Sequence, residues 1–154
     1  METLKHFNKL SRVSTITTKD FYIHHTMEFG KRVQKMSDER EVIGIVEEVT
    51  VKGSKGEKRI KAKIDTGADR TSVDADLAAE VGLGPIHDTI KVKSSLSGQS
   101  QRRLVVQAEI IVRGEHHTVS VSIGDRSNMK YDVIVGKDVL RDSKFLIDPT
   151  VEED

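Results

Sequence analysis

From Val42 to Ile147 apolar residues recur at alternate positions far more often than at helical spacing, which predicts a succession of short strands. Val42-Ile43-Gly44-Ile45-Val46 and Val49-Thr50-Val51 lead into Lys52-Gly53-Ser54-Lys55-Gly56, a turn composition, and the return segment sets Ile60, Ala62 and Ile64 against Arg59, Lys61 and Lys63. This is the pattern of a hairpin with one wet face, and it runs straight into Asp65. The longest signal is Leu104, Val106, Ala108, Ile110 and Val112, which with Ile90 and Val92 across the polar stretch 94–100 predicts a long hairpin with a mobile tip. After a turn at Gly114-Glu115 come His117, Val119, Val121 and Ile123, and then the run Tyr131-Asp132-Val133-Ile134-Val135, ended by Gly136. Helical spacing is brief: Asp74 can cap a helix of about two turns in which Leu77, Ala78 and Val81 share a face and Gly82 supplies the left-handed end. At least six strands, short connections and one or two short helices predict an all-β domain, and a closed barrel is favoured over an open sheet because closure removes exposed edges.

The pattern also divides the chain. Residues 1–40 show no sustained periodicity and are expected to be a disordered or extended N-terminal tail, 41–150 to form the barrel domain, and 151–154 to be a short acidic tail. With 154 residues and 36% apolar content there is room for one modest core. Twenty-five basic residues balance twenty-five acidic ones, so no overall field draws the chain to nucleic acid or to an anionic membrane. The absence of cysteine excludes disulfides and thiolate metal sites and suits a reducing compartment. No stretch approaches the roughly 20 apolar residues of a spanning helix, nor has the N-terminus the apolar core of a signal peptide, so a soluble cytoplasmic protein is expected.

Candidate chemistry concentrates at Ile64-Asp65-Thr66-Gly67-Ala68-Asp69, where an apolar strand ends in a carboxylate followed by a hydroxyl and a glycine. Glycine allows a sharp turn and close approach of another chain, and the Thr hydroxyl can hydrogen-bond across the loop, so Asp65 would be held in place. Asp-Thr-Gly alone is weak evidence, since a strand-ending Asp-x-Gly is usually just a turn. A second element, Val133-Ile134-Val135-Gly136-Lys137-Asp138-Val139-Leu140, stands well downstream.

Together these segments resemble the retropepsin-like aspartic proteases: apolar-Asp-Thr-Gly-Ala-Asp-x-Thr, a glycine-bearing flap hairpin, then an apolar run, Gly, a basic residue and Asp before apolar-Leu. The C-terminal part, Asp125-Arg126-Ser127-Asn128-Met129 through Phe145-Leu146-Ile147-Asp148-Pro149, is similar to the ATP-dependent zinc protease family associated with RimK-type ATP-grasp ligases. The resemblance implies a retropepsin-like barrel and a peptidase with Asp65 as its catalytic carboxylate, supported by the loop residues Thr66, Gly67 and Ala68. It further implies a structural pair between Asp69 and Lys137 and a flap around Ser95, Leu96, Ser97 and Gly98. Aspartic chemistry needs two carboxylates sharing one proton, and this chain carries one such motif, so a homodimer with Asp65 from each subunit is implied. The substrate would be a peptide or protein, with glutamate-modified tails suggested by the neighbouring ligases, which are possible partners.

Alternatives stay open beside this. The same barrel can serve as a non-catalytic peptide-binding or dimerisation module, or as a metal-dependent peptidase. Zinc is not expected despite the family label, because adjacent His116 and His117 point to opposite faces of a strand and no ligand spacing is visible. No phosphate-cradling loop supports ATP binding, so no cofactor is expected. Arg126 could orient a substrate carboxylate or simply serve a turn. Lys91, Lys93, Arg102 and Arg103 could suit an acidic peptide or be the solvated side of a sheet.

Overall fold

The computed structural model describes residues 40–151 except 95. The expectations for residues 1–39, for Ser95 and for 152–154 therefore lie outside the described residues. Among the described residues nine strands and two short helices follow one another as β1 (Glu41–Ile43), β2 (Val46–Gly53), β3 (Gly56–Ile64), β4 (Ser72–Asp74), α1 (Ala75–Val81), β5 (Ile86–Lys93), β6 (Ser100–Val112), β7 (Glu115–Gly124), β8 (Val133–Val135), α2 (Lys137–Leu140) and β9 (Phe145–Ile147).

The main sheet runs β2-β3-β8-β4-β7-β6-β5, and a further pairing of β2 with β6 closes six of these strands into a ring. The all-β closed barrel with two short helices is thus present, with β5 as an extra strand on the outside of β6. Closure is made by Val49 opposite Val112 and Val51 opposite Ile110, and all four side chains are buried. The interior is filled almost wholly by β-branched and small residues, among them Ile43, Ala62, Ile64, Val73, Val106, Val121, Val133, Val135 and Val139. These are the residue types that pack best on a pleated surface in a narrow barrel.

One end of the barrel follows the sequence pattern closely. Asp74 caps α1 by accepting from the Asp76 amide at 3.0 Å, Leu77, Ala78 and Val81 bury one face, and Gly82 ends the helix at φ 73°. The apolar run at 42–46 is broken at Gly44. Its first part becomes β1, which leaves the barrel to pair with β9 in a separate two-stranded sheet.

What positions the site is β8. It lies parallel to β3, with Ile64 opposite Val135, and antiparallel to β4, with Ser72 opposite Ile134, so a late segment is inserted between the two strands that flank Asp65. Gly136, at the end of β8, permits this passage. A Cβ there would sit 2.8–2.9 Å from the backbone of Ala68 and Arg70, atoms that have no freedom to yield.

Candidate active site

Asp65 follows the last residue of β3 and is half-buried. Its amide donates to the Val135 carbonyl at 2.9 Å, its carbonyl accepts from Ala68 N at 3.2 Å, and its Oδ1 accepts from Gly67 N at 2.9 Å. The Ala68 carbonyl in turn accepts from Lys137 N at 2.8 Å. Residues 65–68 therefore form a tight loop laced to β8 and the start of α2, and the carboxylate is oriented by its own loop. Within the one chain, Gly67 makes room for that carboxylate: a Cβ on it would stand 3.2 Å from Asp65 Oδ1. Thr66 is exposed and its hydroxyl makes no hydrogen bond among the described residues.

A buried node underlies the loop. Thr71 is fully buried, and its amide and hydroxyl both donate to the Asp138 carboxylate, at 2.9–3.0 Å and 2.7 Å, while its hydroxyl accepts from Gly136 N at 3.0 Å. Asp138 also accepts from the amide of Val139 beside it. Asp138, which the sequence places in the run after Gly136, thus fastens α2 to the strand after the Asp65 loop.

Asp69 is exposed and pairs with Lys137, Nζ to Oδ1 2.8 Å. The hydrogen bond and charge of Lys137 hold the Asp69 carboxyl below its ordinary value. At the far end of the β5–β6 hairpin, Gly98 N donates to Ser94 O and Ser94 N to Gln99 O, Gly98 adopts φ 71°, and Leu96 is 91% exposed. No hydrogen bond among the described residues joins this tip, Leu96, Ser97 and Gly98, to the Asp65 loop.

Two arginines that the sequence left undecided lie close enough to act on one another, and Asp65 is among the charges that act on Arg126. Arg126 is only 7% exposed; its amide donates to Asp74 Oδ1 at 2.7 Å and its Nε to the Tyr131 carbonyl at 2.9 Å. Burial and the neighbouring Arg103 lower its pKa, against the opposing fields of Asp132, Asp74 and Asp65. Arg103 is separated from the exposed Lys91, Lys93 and Arg102 with which the sequence grouped it. It turns the other way, Nη1 reaching Ser72 Oγ at 3.4 Å.

Zinc needs three or four converging donors. Among the described residues no three His, Asp or Glu side chains are so placed, and the exposed His116 and buried His117 lie on opposite faces of β7, bonded to Glu109 and Glu115 respectively. The described residues do not offer that ion a donor set. No described helix is long and apolar enough to cross a membrane.

A closed barrel with a strand inserted beside an Asp-Thr-Gly loop is the fold of the retropepsin-like aspartic proteases, and solved structures agree. EIAV protease, solved with the inhibitor HBY-793, superposes with a TM-score of 0.51 at 17% identity over 63% of this chain and 85% of its own. A Legionella pneumophila protein of unknown function, Lpg0085, gives 0.51 at 23% identity over 71% of this chain and 94% of its own. No curated protein is similar enough to count as a relative. The sequence profile of the RimB-like family, described as retropepsin-like aspartic endopeptidase RimB, matches residues 76–153, and the chain belongs to that family. The matched stretch begins beyond the Asp65 loop.

Proposed function

We propose that the protein is an aspartic-type peptidase whose dyad is formed by Asp65 from two copies of the chain. The observation that carries this is the fixed geometry of the Asp65 carboxylate, held by the Gly67 amide in a loop clamped to Val135 and Lys137. One carboxylate cannot be both base and acid at once, so the second comes from a symmetry-related copy. Support for the second copy lies in the β1–β9 sheet, whose Val42 and Leu146 are 47% and 41% exposed, and in Ile45 and Met129, both exposed on the wall of one cavity. Such apolar groups on a two-stranded sheet suit burial against a twin.

In the dyad the ionised carboxylate takes a proton from water as the water oxygen bonds to the peptide carbonyl carbon, and the protonated carboxyl gives its proton to the carbonyl oxygen. The tetrahedral diol then collapses: the C–N bond breaks as nitrogen takes a proton from one carboxyl and a diol hydroxyl returns a proton to the other. Ser97 and Gly98 at the hairpin tip would close over the peptide as a flap. Glutamate-modified protein tails, products of a RimK-type ligase, are the substrates this reading favours.

Incubation of wild type and Asp65→Asn with a diverse peptide library, with and without a chelator and with mass-spectrometric readout, tests it. Cleavage lost in the variant and unaffected by the chelator is expected. A folded dimer that binds peptides without cleaving them would make the barrel a binding module, and loss of cleavage to the chelator alone would replace the dyad with a metal.

A further inference from the structure

The outward faces of β2, β3 and β6 line a cleft of about 570 Å³, none of whose wall residues belongs to the Asp65 loop. Strand register builds it. Thr50 stands opposite Arg59 on one side and Ile111 on the other, and Glu48 stands opposite Lys61. These side chains alternate with the buried Val49, Val51, Ala62 and Ile110, so they point away from the core. Glu48 and Arg59 form an ion pair across the two strands. The remaining wall is made at a conformational cost. Arg113 and Gly114 turn β6 into β7 with φ of 49° and 79°, and Arg113 is the one non-glycine residue with positive φ among the described residues. Such a turn position usually takes Asn, Asp or Gly. Here the arginine donates from Nε to Glu47 Oε1 at 2.9 Å, and the buried Glu47 also accepts from the Gly44 amide at 2.8 Å. One carboxylate thus ties the turn to the break between β1 and β2.

The chain is led to the same place from its other side. After β9, Asp148 N donates to the Ile43 carbonyl at 2.9 Å and Val151 N to the Asp148 carbonyl at 3.2 Å. This turn sets Val151 against Gly44, where an added Cβ would stand 3.2 Å from the Val151 side chain. Val151 is itself part of the cleft wall. The three residues after it are Glu152, Glu153 and Asp154, every one a carboxylate. Three residues span at most about 10 Å, so their charges stay near the point where Val151 delivers them. The cleft carries three cations, Arg59, Lys61 and Arg113, against two carboxylates, of which Glu47 is buried, so its accessible charge is positive.

We infer that Glu152, Glu153 and Asp154 seat in this cleft, with their carboxylates against Arg59, Lys61 and Arg113. A cationic wall offsets the mutual repulsion of three adjacent carboxylates, which an apolar or acidic wall would not. Seated there, the segment braces the turn after β9 against Gly44, and through that turn the pairing of β9 with β1. The seat is independent of the peptidase reading, since it uses neither Asp65 nor a second copy of the chain.

The test compares the full chain with a variant carrying Glu152→Gln, Glu153→Gln and Asp154→Asn, in thermal melts at low and high salt. The amide variant should melt about 2–4 °C below wild type at low salt, and the gap should at least halve in about 1 M salt. Arg59→Gln with Lys61→Gln should lower the melt as well, and adding the amide changes to that pair should lower it by less than they do alone. The chain has no cysteine, so a designed pair can form only one disulfide. Glu153→Cys combined with Thr50→Cys, or with Ile111→Cys, should link within one chain on mild oxidation. Melts at low salt that do not separate the amide variant from wild type overturn the seat. So does a disulfide that forms with neither partner, and one that forms only between two chains would assign the cleft to a second copy instead.

Discussion

Replacing Thr71 with valine deletes one hydroxyl and almost no volume, yet that hydroxyl is the middle of a buried relay: it donates to Asp138 at 2.7 Å and accepts from the Gly136 amide at 3.0 Å. In the variant the Gly136 amide, in a buried residue between the Asp65 loop and α2, has no acceptor, and Asp138 loses its shortest donor from Thr71. An unsatisfied buried donor costs about 1–3 kcal/mol and a hydrogen bond to a charged acceptor is worth about 1.5–3 kcal/mol, so with partial relaxation Thr71→Val should destabilise the fold by about 3 kcal/mol. For a domain of this size that corresponds to a fall in Tm of more than about 10 °C. Urea unfolding followed by circular dichroism gives the free energy, and a double-mutant cycle with Asp138→Ala isolates the coupling, expected to exceed about 1 kcal/mol. If Thr71→Val shifts the urea midpoint by an amount equivalent to less than about 1 kcal/mol at unchanged slope, the node does not hold the loop and the reasoning fails.

Gly136→Ala should be more damaging still, since its Cβ would meet backbone atoms of Ala68 and Arg70 at 2.8–2.9 Å; little folded protein in a thermal melt is the expected result. The Asp69–Lys137 pair contributes through a carboxyl whose pKa is lowered in the folded state, so its contribution is present above the ordinary carboxylate pKa and fades as pH falls through the lowered one. Lys137→Met should therefore trail wild type slightly at neutral pH and converge with it in acid, as measured by urea midpoints across that range. Because Asp69 is exposed the gap should be small and should shrink with added salt. Val42→Glu or Leu146→Glu, placing charge on the β1–β9 sheet, should shift the chain toward monomer in sedimentation and lower peptidase activity with it; an unchanged dimer would refute that face as the interface.

Much of this architecture was legible because its signals are local. Ile60, Ala62 and Ile64 alternate into Asp65, and Asp74 and Gly82 bracket α1 as their chemistry requires. β4 and β9 carry no such signal. Each is three residues long, and Ser72-Val73-Asp74 becomes a strand only because β7 and β8 lie on either side of it. Asp65 stood out through its motif, but the Thr71–Asp138 node joins residues 67 positions apart, a relation that periodicity does not encode. Arg103 was misplaced for a simpler reason. Adjacent strand residues point to opposite faces, so it could not share the wet face of Arg102; register sets Lys91 opposite Arg102 and Ile90 opposite Arg103.

The insertion of β8 between β3 and β4 ties the candidate site to the last stages of chain assembly. Asp65 is correctly held only when Val135 and Lys137, some seventy residues downstream, have threaded back past Ala68 and Arg70. Such long-range closures come late in folding because the loop entropy must be met before the contacts reward it. A nascent or truncated chain can therefore display the Asp-Thr-Gly motif without the geometry that orients its carboxylate, which is set only once the barrel has closed.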